Sequence, residues 1–349
     1  MDPILRIAMI GCGRVAKLHV RGWQESKLPF EMPLLVDIKP ELAQKLKDDT
    51  GLKDSQVITD YRQALADPRI DAVELCTYSD LHAEQIIAAL EAGKHVLTEK
   101  PVGYSLEECR KLRWARQTYP DPKVGVAYSL RYYPVNQAIR RELLAGTIGR
   151  PMFGCVAHNH PMHAESDAAV AADYVHTDLG GRYIAGSEMT HATHPFDLAR
   201  WLFGEVIDVF AIRGPGVFAT FRHAGGAVCQ VIGASTAKGG LASPQAILVQ
   251  GTAGTLYSTY IAGMEGWEPG AYRGYLVKDG KATDITPAET DTGHGDLNRC
   301  RNFYNAVKAG GPLVCDMLDA IRTTELLHAI RDSHDHEIRV PVHQTSQTG

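Results

Sequence analysis

No hydrophobic run in these 349 residues approaches the roughly 20 that cross a bilayer, so no membrane-spanning helix is expected. The first strand signal, Arg6-Ile7-Ala8-Met9-Ile10, starts within six residues of Met1 and leaves no room for a signal peptide, which points to the cytoplasm. Seven cysteines stand at positions 12, 76, 109, 155, 229, 300 and 315 without a C-x-x-C pair, and this odd, scattered set speaks against a disulfide scaffold or a zinc ribbon. Basic clusters are missing too: 36 Lys and Arg against 41 Asp and Glu leave a net charge of −5, so nucleic acid is not an expected partner. What remains, 44% hydrophobic and 22% charged residues, is ordinary for a globular chain long enough to fill two domains.

The N-terminus carries the most specific pattern. After the strand Arg6–Ile10 comes Gly11-Cys12-Gly13-Arg14-Val15-Ala16, and the next strand, Pro33-Leu34-Leu35-Val36, ends on Asp37. Gly11 permits a sharp turn, Gly13 lets the backbone approach a pyrophosphate, and Ala16 stands where helix and strand must pack closely. The unpaired amides and positive dipole end of the following helix favour an anion there. Asp37 lies about 20 residues past the turn, the spacing that ribose recognition requires. Its carboxylate accepts from both ribose hydroxyls and repels a 2′-phosphate, so NAD is expected in preference to NADP, with Lys39 the neighbour able to neutralise such a phosphate.

Strand and helix signals alternate through the first third. Ala72–Thr77 reads as a buried strand, Leu81–Ala92 as a helix closed by Gly93, His95–Thr98 and Val124–Ala127 as further strands, and Ser105 with Glu108 as a capping box. This order predicts an α/β Rossmann domain over residues 1–125, its doubly wound parallel sheet gathering Gly11, Asp37, Thr77 and Glu99 at the C-terminal ends of the strands. From about Tyr128 the pattern becomes a helix near Pro134–Ala145 followed by many strands, with Ala224-Gly225-Gly226 as a hairpin turn. An α+β second domain is expected over 126–340, its late helix at about 316–333 free to pack back on the first.

Glu99-Lys100-Pro101 follows a predicted parallel strand directly and so emerges at the cofactor edge. A lysine is usually a solvated surface residue; here it also reads as a cation that polarises a substrate oxygen. Six histidines fall between residues 158 and 194: His158, His160, His163, His176, His191 and His194. His158 and His160 alternate onto one face of a strand, but no carboxylate or cysteine stands at a familiar zinc spacing and imidazoles also bind sugar hydroxyls, so no metal is expected. Trp267, in the glycine-rich segment Gly263–Gly274, reads either as part of a loop over the site or as an oligomer contact.

Read in order, Gly11-Cys12-Gly13-Arg14-Val15-Ala16, Cys76-Thr77-Tyr78-Ser79-Asp80-Leu81-His82, Glu99-Lys100-Pro101, Arg131-Tyr132-Tyr133-Pro134, Gly146-Thr147-Ile148-Gly149-Arg150-Pro151 and the run His194 to Gly204 resemble the Gfo/Idh/MocA family, named for glucose-fructose oxidoreductase and inositol dehydrogenase. The resemblance extends from residue 6 to about residue 333. It implies an N-terminal Rossmann domain, a C-terminal domain on an open, mostly antiparallel sheet, an active site between them, and a homodimer or homotetramer. It also implies NAD-dependent oxidation of a secondary hydroxyl on a small polyhydroxylated substrate: a sugar, glycoside or inositol. Two other activities known on this fold stay open, an NAD-dependent glycosidase that oxidises a ring carbon transiently and a non-catalytic sugar or dinucleotide sensor.

Lys100 and His194 match the family's active-site lysine and catalytic histidine, and an imidazole with a pKa of about 6.5 can accept and return a proton near neutral pH. Asp197, one turn on, either orients His194 or forms a helix-surface ion pair with Arg200. Where many relatives have an acid four residues before that histidine this chain has Thr190, so His191 or His176 is available to share the proton handling. The expected cofactor contacts are Gly11, Gly13, Arg14, Val15, Asp37, Thr77, Ser79, His82, Glu99 and Lys100. The expected substrate contacts are Arg131, His158, His176, Thr190 and His191, with Arg131 also readable as a cap on the interdomain crossing and Tyr128 as a packing residue.

Overall fold

The computed structural model describes residues 3–161, 176–177, 183–184, 193–214, 216–236, 245–261, 271–288 and 295–344. The described residues within Met1–Tyr132 and Asp291–Thr324 form one compact unit, and those within Tyr133–Thr290 and Glu325–Gln344 form another. None of the described helices is long and apolar enough to cross a membrane.

The first unit alternates strand and helix: β1 (Leu5–Ile10), α1 (Arg14–Ser26), β2 (Phe30–Val36), α2 (Pro40–Thr50), β3 (Gln56–Ile58), α3 (Tyr61–Ala66), β4 (Ala72–Leu75), α4 (Ser79–Glu91), β5 (His95–Thr98), α5 (Leu106–Thr118) and β6 (Val124–Val126). The strands pair in parallel in the order β3-β2-β1-β4-β5-β6, the doubly wound Rossmann arrangement. Period-two alternation in β1 builds both layers of the core. Leu5, Ile7 and Met9 join Val20, Trp23 and Leu97 on one side of the sheet, while Ala8 and Ile10 join Leu75, Ile86 and Leu112 on the other. The capping box at the start of α5 forms as expected, the Glu108 amide donating to Ser105 Oγ (3.1 Å) and the Ser105 amide to Glu108 Oε2 (2.9 Å).

In the second unit α6 (Pro134–Leu144) precedes β7 (Pro151–Pro161), β8 (His176–Thr177), β9 (Tyr183–Ile184) and α7 (Thr193–Phe203). There follow β10 (Val206–Arg213), β11 (Gly216–His223), β12 (Val228–Thr236), β13 (Gln245–Gly251), β14 (Thr255–Ile261), β15 (Ala271–Lys278) and β16 (Lys281–Asp284). With β17 (Val340–Pro341) these make a nine-stranded sheet, β16-β15-β14-β13-β7-β12-β11-β10-β17, in which only β7 and β12 run parallel. The hairpin turn at Ala224-Gly225-Gly226 joins β11 to β12, with Gly226 at φ 85° and its amide donating to the His223 carbonyl (2.9 Å). The glycine-rich segment that ends at Gly274 runs into β15, which begins at Ala271. Gly274 sits inside that strand where a Cβ would lie 2.9 Å from Val135 Cγ2 of α6, so the glycine records a close helix approach instead of a turn.

Two late helices complete the chain, α8 (Asp296–Ala309) and α9 (Met317–His336). Helix α8 packs on α1 in the first unit, where a Cβ on Gly22 would lie 3.0 Å from that of Asp296, and Met317, Ala320 and Ile321 of α9 enter the same unit's core.

Candidate active site

The C-terminal edge of the parallel sheet is built one hydrogen bond beyond each ladder. The Gly11 amide donates to the Val36 carbonyl (2.8 Å), that of Cys76 to Ile10 (2.8 Å) and that of Glu99 to Leu75 (2.9 Å), so the residues following β2, β1, β4 and β5 stand side by side. Gly11 has φ 86°, and a Cβ there would lie 2.7 Å from the Cys76 backbone; no other residue type fits. At Gly13, the residue capping α1, an added Cβ would meet nothing within 4 Å. Gly13, Arg14 and Val15 are exposed while Ala16 is fully buried, which leaves the start of α1 open to an anion and its first turn tight against the sheet.

Asp37 is held ready by two backbone amides: Cys12 donates to its Oδ2 (2.8 Å) and Lys39 to its Oδ1 (2.9 Å). Each carboxylate oxygen keeps a second lone pair for a diol. Cys12 lies beneath, its thiol pushed far above its usual range by burial and by Asp37, so it is an inert packing group. Thr77 donates its hydroxyl to Gln85 Oε1 (2.6 Å), and Ser79 opens α4.

His82 takes a different part from the cofactor contact expected of it. It is buried, with Nδ1 2.7 Å from the Pro101 carbonyl and Nε2 3.1 Å from that of Thr77. Burial holds its pKa below the ordinary imidazole value. The ring lies between these two carbonyls, one on the loop after β4 and one on the loop after β5, with a single N–H to donate in its neutral form.

Glu99 and Lys100 are half-buried at the end of β5. Burial lowers the Lys100 pKa and Glu99 opposes the shift, as expected for an ammonium drawn out of water beside one carboxylate. Burial pushes Glu99 toward its neutral form, but His19, Lys100 and Arg299 overcome it and hold the carboxyl well below the usual range. His19 stands between two acids, Nδ1 2.6 Å from Glu74 Oε1 and Nε2 2.9 Å from Glu99 Oε1. Burial and Arg299 disfavour its charge, yet Cys76 and Glu74 prevail and the pKa stands well above the ordinary value. Sequence reasoning missed this group. The signal was there: Glu74 interrupts the apolar strand Ala72-Val73-Glu74-Leu75, and His19 shares the buried stripe of α1 with Ala16, Val20 and Trp23. A charge inside a fully buried strand demands a partner.

In the second unit His194 is the second residue of α7, and its ring lies edge-on to that of His158 of β7, centroids 6.3 Å apart. Two of the predicted histidines are therefore neighbours. His176 lies in β8, and Thr190, His191, His163 and Trp267 lie outside the described residues. Asp197 and Arg200 are not on the surface, as the helix-surface pair considered above would be: both are buried, and Arg200 donates to Glu205 Oε1 (2.9 Å). Arg131 is likewise no open substrate contact. It is fully buried against Asp319 and the Val314 carbonyl, its guanidinium 5.9 Å from the centre of the buried Tyr128 ring.

Residues 5–119 match a family described as "Oxidoreductase family, NAD-binding Rossmann fold", and residues 181–342 match its "C-terminal alpha/beta domain". The chain belongs to the Gfo/Idh/MocA oxidoreductase family. Within that family it is 29% identical over 214 residues to an inositol 2-dehydrogenase of Acidothermus cellulolyticus, covering 61% of this chain and 58% of the relative. It is 28% identical over 233 residues to a levoglucosan dehydrogenase of Pseudarthrobacter phenanthrenivorans, covering 64% and 57%. The chain thus spans about three-fifths of the length of these curated relatives. Among solved structures, a levoglucosan dehydrogenase in complex with NADH and levoglucosan superposes with a TM-score of 0.79 at 22% identity, covering 98% of this chain and all of that one, which is a likeness of fold. The first unit of this family member is accordingly an NAD-binding Rossmann fold.

Proposed function

We propose that the protein is an NAD-dependent dehydrogenase acting on a secondary hydroxyl of a sugar, glycoside or inositol. The observation that carries this reading is the half-buried Lys100, its pKa lowered by burial beside Glu99, at the C-terminal edge of an NAD-binding sheet. The names of relatives, inositol 2-dehydrogenase and levoglucosan dehydrogenase, support a polyhydroxylated ring as the substrate class. The open space at Gly13, the exposed N-terminus of α1 and the amide-held Asp37 suit a pyrophosphate and an unphosphorylated ribose. Thr77, Ser79 and Glu99 line the same edge. NAD, when bound, supplies the hydride acceptor.

The chain's own residues handle the proton. Lys100 binds the reacting hydroxyl and makes it more acidic, because an ammonium stabilises the developing alkoxide. His194, half-buried beside His158, accepts the proton as the neutral ring. His176, Thr190 and His191 complete the substrate side of this reading. Oligomerisation through the second unit belongs to it too. Ile212 and Phe218 face each other across β10 and β11, Phe153 and Val228 across β7 and β12, and all four are exposed, apolar surface suited to a second copy of the chain.

A screen of sugars, glycosides and inositols with NAD, following NADH absorbance, tests the proposal. Turnover with NADH formation supports it. Release of an aglycone without net NADH would replace it with the glycosidase, and binding without either reaction would replace it with the sensor.

A further inference from the structure

The dehydrogenase reading uses Lys100 and leaves unexplained the buried charges behind it. His19 is 1% exposed, and both of its ring nitrogens meet carboxylate oxygens, at 2.6 Å and 2.9 Å. A neutral imidazole has one N–H and one lone pair, and a lone pair aimed at a carboxylate is repulsive; between two ionised acids only the doubly protonated ring satisfies both neighbours. Glu74 is fully buried and receives a second donor, Trp23 Nε1, at 2.7 Å. Glu99 uses its other oxygen to accept from the Lys100 amide at 3.1 Å. The remaining groups that face this cluster are Cys76 beyond β4, Lys100 beyond β5, and Arg299 of α8 with its neighbours Cys300 and Asp296, the last paired with Arg299 at 2.5 Å. Burial and Arg299 act against a proton on His19, while Glu74 and Cys76 act for it.

We propose that His19 is a positioning residue for Lys100: as a standing imidazolium it keeps Glu99 ionised and aimed, and Glu99 in turn keeps Lys100 a cation at the sheet edge. The chain of effect is short. His19 meets Glu99 on Oε1, which leaves Oε2 to the Lys100 amide and fixes the carboxylate plane beside the lysine. The Glu99 charge is what opposes the loss of the Lys100 proton on burial. The consequence for turnover rests on the dehydrogenase reading; the charge on His19 and its effect on Lys100 do not.

Three measurements on the whole protein test this. NMR of nitrogen-labelled histidine should show both His19 nitrogens protonated at neutral pH and above, and a neutral ring at neutral pH would overturn the proposal whatever the enzyme's substrate. In His19→Gln, acetic anhydride should acylate Lys100 faster at neutral pH, read by mass spectrometry, since a Glu99 that protonates more readily supports the ammonium less; an unchanged rate overturns it. With a substrate in hand, the alkaline limb of kcat/KM should move downward in His19→Gln, because a less supported Lys100 loses its proton at lower pH. In the Glu99→Gln background the same change should then alter kcat by no more than about twofold, because both substitutions remove one interaction. Fully additive losses would mean that His19 acts elsewhere. Failure of every substrate with a protonated His19 and faster Lys100 acylation would sink the dehydrogenase reading alone.

Discussion

The two sheets of this protein bury their surfaces differently. In the first unit β4 is buried at every position, as parallel strands covered by helices on both faces are. In the second, β10 and β11 alternate buried with exposed residues, and the exposed set includes Ile207, Phe210, Ile212 and Phe218. The difference teaches where each unit carries its unfinished chemistry. A sheet covered on both faces cannot hold an ionisable group without a buried partner, so Glu74 brings His19 and Trp23 with it. A sheet covered on one face leaves apolar surface over, which a second copy of the chain can remove from water.

The largest effect should come from breaking the covered sheet. Glu74→Ala leaves the His19 imidazolium with one partner inside the core and should destabilise the first unit by about 3–5 kcal/mol, the usual result of removing half of a buried ion pair. Denaturant unfolding measures it, and a loss below about 1 kcal/mol would mean that water reaches the cluster.

Lys100→Met and His194→Ala should each lower turnover by about a hundredfold or more while leaving NAD affinity intact, since general acid and base groups act on the reacting hydroxyl and not on the cofactor. Near-normal turnover in either variant removes that residue from the mechanism.

Acid and alkali should weaken the first unit for opposite reasons. Glu99 has a folded pKa below its unfolded value of about 4.3, so its contribution is present above that pH and is lost as pH falls toward the folded value. His19 has a folded pKa above its unfolded value of about 6.5, so its contribution is complete below that pH and is lost as pH rises through the folded value. Thermal unfolding across pH should therefore show the highest Tm between these two unfolded values. In His19→Gln the alkaline decline should flatten, and an unchanged curve would assign it to another group.

Asp37→Ser should narrow the preference for NAD over NADP, because it removes the ribose acceptor together with the charge that repels a 2′-phosphate. Tighter binding of NADP than NAD by the native protein would show that Arg14 or Lys39 outweighs the acid. The smallest effect on stability belongs to the open face: Phe218→Glu should change the stability of an isolated subunit by no more than about 0.5 kcal/mol, as exposed substitutions do. It should nevertheless reduce the oligomeric mass seen by light scattering, and an unchanged mass moves the contact to another surface.

Much of the first unit was legible from local pattern. Gly11, Gly13, Ala16 and Asp37 are set by neighbours in sequence, by turn geometry and by helix–strand spacing, and the capping box at Ser105 and Glu108 needs only one helical turn to form. Arg131 was not legible, because the partner that claims it, Asp319, is 188 residues away. Nor was the role of Gly274: only the approach of Val135 explains a glycine in the middle of a strand.

By itself the sequence determined the α/β class and the cofactor type, since each is written in residues close together along the chain, and it put forward the lysine and histidine of the proposed chemistry. The tertiary structure alone decided that residues of α8 return to the first unit, where Arg299 faces the His19 cluster, and that His82 and Arg131 are held inside. The physical reason is that a buried charge takes its state from whatever surrounds it in space. For His19 those surroundings come from positions 74, 99 and 299, and no local periodicity relates them.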